Sequence, residues 1–127
     1  MTTTLTLPWP PTSNHAYATV RTKTGTSRRA KSQAARNYAL LAQVLTKRGH
    51  PTPIFTATDR IAVTLLLHPP DARRFDIANR EKILIDAISP VLGFDDSQID
   101  RITIQRASIS VDARVIATIA TYHPNAN

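Results

Sequence analysis

The run Arg73-Arg74-Phe75-Asp76-Ile77-Ala78-Asn79-Arg80-Glu81-Lys82 and the later Gly93-Phe94-Asp95-Asp96 gather the groups in this chain best suited to chemistry. Two arginines lead into a carboxylate, where a predicted helix opens with Asn79 and Lys82 in its first turns. A pair of aspartates follows in a turn just beyond that helix. Carboxylates held at two separate points beside basic residues are what metal-assisted phosphodiester cleavage requires. The acids bind a hard cation such as Mg²⁺, the metal polarises phosphate and activates water, and the basic groups hold the polyanion.

Each residue also has a plainer reading. Asp76 suits a helix N-cap and the positive end of the helix dipole. Asp95-Asp96 suits ordinary turn chemistry, and Lys82 suits a solvated helix face with Asp86 one turn away. His15, His50, His68 and His123 fall singly, without metal-ligand spacing. No Gly-rich phosphate loop, nucleophile elbow or zinc motif occurs.

Charge favours an anionic partner. The formal net charge is +7, and residues 1–58 hold Arg21, Lys23, Arg28, Arg29, Lys31, Arg36, Lys47 and Arg48 with no acid at all. The rest of the chain has 8 basic against 9 acidic residues, so the basic half stands alone. That one-sidedness is the electrostatic footprint expected for nucleic acid.

The elements that must position these groups follow from pattern. Alternation in Thr2–Leu7 reads as a strand ended by Pro8, and Pro8-Trp9-Pro10-Pro11 reads as a stiff loop. Residues 12–27 read as a flexible basic loop able to close over DNA. Ser27 is the expected cap of a helix over 28–48, with Ala34, Ala35, Tyr38, Leu41, Ala42 and Leu45 as its apolar stripe. Residues 58–68 read as a central strand, and Asp76–Ile88 as a second helix closed by Pro90 and Gly93. Residues 98–109 and 114–122 read as an antiparallel hairpin, and 123–127 as a loose tail. The order β-α-β-α-β-β predicts one α/β (α+β) domain over residues 1–127, a mixed sheet of about four strands with two main helices on it.

Composition agrees with a folded domain of 127 residues at 42% hydrophobic and 20% charged. The absence of cysteine rules out disulfides and thiolate metal sites. With no signal-like N-terminus and no apolar run of membrane-spanning length, the expected setting is cytoplasmic, with no membrane partner.

At this point the residues carry a resemblance to the RusA family of Holliday junction resolvases. It rests on a strand ending in Leu7-Pro8-Trp9-Pro10-Pro11, followed by Ser13-Asn14 and Tyr17. It continues through the arginine-rich approach to a helix start, Asp76-Ile77-Ala78-Asn79, that follows the family's Asp-x-Asp-Asn except at its third position, then a lysine shortly after, a second Asp in that helix, and Gly-Phe…Asp-Asp. The match spans roughly Leu5 to Tyr122. The resemblance implies a homodimeric, Mg²⁺- or Mn²⁺-dependent endonuclease that binds four-way DNA junctions by shape and makes paired, symmetric nicks.

On that resemblance Asp76 and Asp96 are metal-binding acids, Asp95 being the less favoured of its pair, and Lys82 is the basic residue that stabilises developing charge. Asn14, Tyr17, Arg21, Lys23, Arg28, Arg29, Lys31, Arg73, Arg74 and Asn79 are the expected DNA contacts. The departure is Ala78, where the family has an aspartate; a methyl group cannot ligate a hard cation. Two accounts stand open. One is an inactivating Asp→Ala replacement, preferred because the rest of the motif is intact. The other is a natural variant that has lost cleavage or recruits another acid such as Asp86. The rival readings of function are a branched-DNA-binding protein that does not cut, and a metal nuclease for another nucleic-acid structure.

Overall fold

Strand β4 (Ile61–His68) shows how the sheet is built. Ile61, Val63, Leu65 and Leu67 are fully buried on one face, while Ala62, Thr64, Leu66 and His68 on the other are half-buried. The computed structural model describes residues 1–11, 17–21 and 27–124, without the side chains of 17–21, 27–31 and Asn79. On one side of β4 the sheet continues through β6 (Arg114–Thr121), antiparallel to β4, and then β1 (Thr2–Pro8), antiparallel to β6. On the other side β5 (Ile99–Arg106) pairs in parallel, giving the order β1-β6-β4-β5.

Helix α1 (Gln33–Gly49) and helix α2 (Glu81–Leu92) pack on each other and supply the core that covers the buried face. Tyr38 ties α1 to the end of β1, its hydroxyl donating to the Pro8 carbonyl at 2.8 Å. Gly93 ends α2 with φ of 91°, its N–H donating to the Ser89 carbonyl at 2.9 Å. Only glycine fits there, since a Cβ would stand 2.7 Å from that of Pro53. The mixed sheet with two main helices and the order β-α-β-α-β-β are as the sequence predicts.

Four local expectations are corrected. Strands β5 and β6 are not a hairpin, because β4 lies between them. The unit β4–α2–β5 is a crossover through a helix, which is how two parallel strands must be joined. Residues 107–113 then span the end of β4, with Ala107 N–H donating to the Leu67 carbonyl and Ser110 N–H to that of Pro69.

Within the expected flexible loop, Tyr17–Arg21 (β2) instead pairs antiparallel with Ser27–Lys31 (β3). Tyr, Thr and Val in β2 are strand formers, but five residues are too few to show a period. Residues 12–16, 22–26 and 125–127 lie outside the described residues, as does most of the expected loose tail.

Helix α1 therefore begins at Gln33, capped by Ser32 rather than Ser27. The Ser32 hydroxyl accepts from the Ala35 N–H at 3.2 Å. Its buried stripe is Ala35, Tyr38, Ala39, Ala42 and Thr46, whereas Ala34 and Leu41 are exposed. Finally, Asp76 caps a short 3₁₀ turn (Ile77–Arg80) before α2, and α2 runs through Pro90 to Leu92. Among the described residues no helix is long and apolar enough to cross a membrane.

Candidate active site

Helix α2, the turn after it and the start of β5 wall an open cleft of about 470 Å³. Lys82 and Asp86 face it from α2, Asp96 from the turn, and Asp100 from β5, over a floor that includes Ile85 and Ile99. Lys82 Nζ lies 3.4 Å from Asp86 Oδ2, the helical pair expected from their spacing. Partial burial raises the Asp96 carboxyl above the ordinary aspartate range; the charges of Asp86 and Asp95 add to the rise, and Lys82 opposes it.

The two neighbouring aspartates are therefore unlike. Asp95 caps a one-turn 3₁₀ helix (Asp96–Gln98), accepting from the hydroxyl and the N–H of Ser97. Those bonds hold its carboxyl below the ordinary range. Asp95 is occupied in shaping the turn, and Asp96 is the acid the turn presents to the cleft.

Buried Gln98 fixes that turn. Its Oε1 accepts from the Asp95 N–H at 2.9 Å, while its Nε2 donates to the carbonyls of Thr56 and Asp59 at 2.8 and 2.9 Å. Arg60 adds a second tie, forking onto Asp100 at 2.9 and 2.6 Å and donating to the Ser97 carbonyl at 3.0 Å. Neither residue stood out in the sequence. Gln98 three residues after Asp95 is nevertheless a capping-box spacing, and that was the available signal.

The remaining sequence-predicted residues are placed as follows. Asp76 is exposed, its Oδ1 accepts from the Ala78 N–H at 3.0 Å, and it does not line the cleft. Ala78 is exposed on the same short turn. Arg73 and Arg74 are exposed in the bend before Phe75; Arg73 pairs with Asp71 at 3.5 Å. Tyr17, Arg21, Arg28, Arg29 and Lys31 lie on the β2–β3 hairpin, whose side chains are outside the description, as is that of Asn79 on the 3₁₀ turn. Asn14 and Lys23 lie outside the described residues. Lys82, Asp96 and Asp86 are thus brought together. Among the described residues no three His, Cys, Asp or Glu side chains form a metal-holding group.

Clustered carboxylates and a lysine on an α+β scaffold, with an arginine-rich bend leading into the same helix, are the kinds of group that metal-assisted phosphodiester chemistry uses. The family model for the endodeoxyribonuclease RusA matches residues 8–120. The chain belongs to that family. It is 32% identical over 117 residues to the crossover junction endodeoxyribonuclease rusA of Enterobacteria phage 82, covering 91% of each chain. It is 29% identical over 119 residues to the crossover junction endodeoxyribonuclease RusA of Escherichia coli strain K12, again covering 91% of each.

Proposed function

We propose that this chain is a structure-specific DNA endonuclease acting on four-way junctions as a homodimer, with paired nicks made at the cleft of Lys82, Asp86 and Asp96. The observation that carries the reading is the convergence of these three side chains in a chain of the RusA family. Two protomers related by a two-fold axis match the symmetry of a junction and account for paired cuts.

Asp96 and Asp86 suit a hard divalent cation, Mg²⁺ or Mn²⁺. Mg²⁺ needs only one or two protein carboxylates and keeps waters for the rest, and a cation would relieve the repulsion from Asp86 and Asp95 that adds to the burial-driven rise of Asp96. When bound, it would polarise the scissile phosphate and lower the pKa of a bound water. By the family resemblance, Asp76 and a carboxylate at position 78, which lie on the 3₁₀ turn outside the cleft lining, would add further oxygen donors when the metal and DNA bind, with Asp95 holding the turn. Lys82 offsets the acids and faces charge developing on phosphate. Arg73 and Arg74, Asn79, and the basic hairpin with Asn14, Tyr17, Arg21, Lys23, Arg28, Arg29 and Lys31 grip backbone phosphates, which convey shape and charge rather than sequence.

Ala78 removes one oxygen donor, so the chain as it stands is an impaired form of the nuclease. Its exposure means that an aspartate there incurs no burial penalty. The test is a nicking assay on a synthetic four-way junction with Mg²⁺, this chain beside Ala78→Asp, with Mg²⁺ affinity of both measured by calorimetry. Gain of paired nicks and of Mg²⁺ affinity in the aspartate form supports the reading. If neither form cuts although both bind, the chain is a branched-DNA-binding protein.

A further inference from the structure

We infer that a second pocket, between Trp9 and the arginine bend, is a built site for a phosphodiester group of the DNA backbone, with Arg80 as its anchor. The inference deepens the nuclease reading and rests on it for the identity of the polyanion. The cavity measures about 210 Å³ and is lined by Trp9, Phe75, Arg73, Arg74 and Arg80, with Asp71 as its one acid among the described residues.

Arg80 is the unusual member. It is only 6% exposed, yet no carboxylate lies within ion-pair distance of it among the described residues. Its guanidinium is wedged against two rings, 5.0 Å from the centroid of Trp9 and 4.7 Å from that of Phe75. Trp9 and Phe75 hold each other edge-to-face at 5.3 Å. Among the described residues its polar contact is one long bond from Nη1 to the Asp76 carbonyl at 3.3 Å, and Nε has no acceptor. Burial accordingly pulls its pKa down, opposed by the charge of Asp76.

A desolvated cation without a counter-ion is costly unless a partner completes it. The rings recover part of that cost through cation–π attraction. An anion entering from the pocket would supply the rest. Three arginines line the pocket, and Asp71 is already engaged with the N–H and side chain of Arg73 at 2.9 and 3.5 Å. A second guanidinium, that of Arg106, lies 4.2 Å from the Phe75 centroid and braces Arg73 by donating to its carbonyl at 3.0 Å. The arginines therefore occupy ring faces that a flipped base would need, while their N–H edges remain suited to phosphate oxygens. Because Arg80 belongs to the turn capped by Asp76, a phosphate held there is fixed at the entrance to the helix that carries Lys82.

Trp9 is the only tryptophan in the chain, so its emission reports on this pocket alone. The experiment titrates inorganic phosphate, and separately four-way junction DNA, into the protein at constant ionic strength in EDTA. It compares the parent with Arg80→Met and with the exposed variant Arg74→Gln, which remains informative if Arg80→Met fails to fold. The expected result is a saturable Trp9 change with both probes in the parent, and loss of the phosphate response in the variants. Junction affinity should fall about tenfold, with a salt slope shallower by about 1 for each arginine removed. Response to DNA but not to phosphate would show base stacking and overturn the assignment. Junction nicking by Ala78→Asp that is indifferent to Arg80→Met, with unchanged affinity and salt slope, would overturn it too while leaving the nuclease reading intact. Phosphate response without junction binding would support the pocket and sink the junction reading.

Discussion

The side-chain amide of Gln98 accepts from the backbone N–H of Asp95 at 2.9 Å, closing the turn that aims Asp96 into the cleft. The other end of the same amide holds the carbonyls of Thr56 and Asp59. One buried side chain thus fastens the acidic turn to a loop some forty residues earlier in the sequence.

Replacing Gln98 by Ala strands a part-buried N–H and two part-buried carbonyls. The expected loss is about 1–3 kcal/mol of stability per group left unpaired, softened where water enters. Urea unfolding measures it. Junction nicking in the Ala78→Asp background should fall by more than the unfolded fraction explains, because Asp96 loses its mooring.

Lys82→Met in the same background should cut the nicking rate by about 10²–10³-fold, the loss typical of one charge-stabilising donor. It should leave junction affinity nearly unchanged. Lys82 also opposes the rise of the Asp96 pKa, so its removal pushes that carboxyl further up. The acid limb of the pH–rate profile should therefore move to higher pH. An acid limb that stays in place would show that Asp96 is not the titrating group.

Gly93→Ala should destabilise the fold by at least about 1–2 kcal/mol, the penalty for a left-handed non-glycine residue. The approach to Pro53 adds to it, since the new Cβ would meet that of Pro53 at 2.7 Å. Thermal or urea unfolding checks the value.

The fork of Arg60 onto Asp100 holds that carboxyl below the ordinary aspartate range. A depressed acid contributes stability above its unfolded pKa of about 3.9 and loses it as pH falls through the folded value. The Asp95 carboxyl, bonded to Ser97, behaves in the same sense. Asp100→Asn should therefore be less stable than the parent near neutrality, the gap narrowing below about pH 4. Melting temperatures of both proteins across that range decide it.

The sequence carried much of the frame and part of the site. Alternation in β4 and β6 was visible because buried and exposed positions differ chemically within one element, and the Gly93 end of α2 because only glycine takes that backbone readily. The pairing of β4 with β5 was not visible, because strand partners depend on which edge a crossover helix returns to. Lys82 and Asp86 could be paired from helical spacing alone. Separating Asp95 from Asp96 required the hydrogen bonds of Ser97 and Gln98. Arg80 read as one more basic residue in a basic stretch, because neither its burial nor its contact with Trp9, about seventy residues away, is written locally.

Paired nicking of a synthetic four-way junction by Ala78→Asp, beside Ala78→Asp/Asp96→Asn, tests the central claim most directly. Both should bind the junction with similar affinity, and the asparagine form should cut at least about a hundredfold more slowly. Equal cutting by the two would contradict that claim, because Asp96 would then have no part in the chemistry.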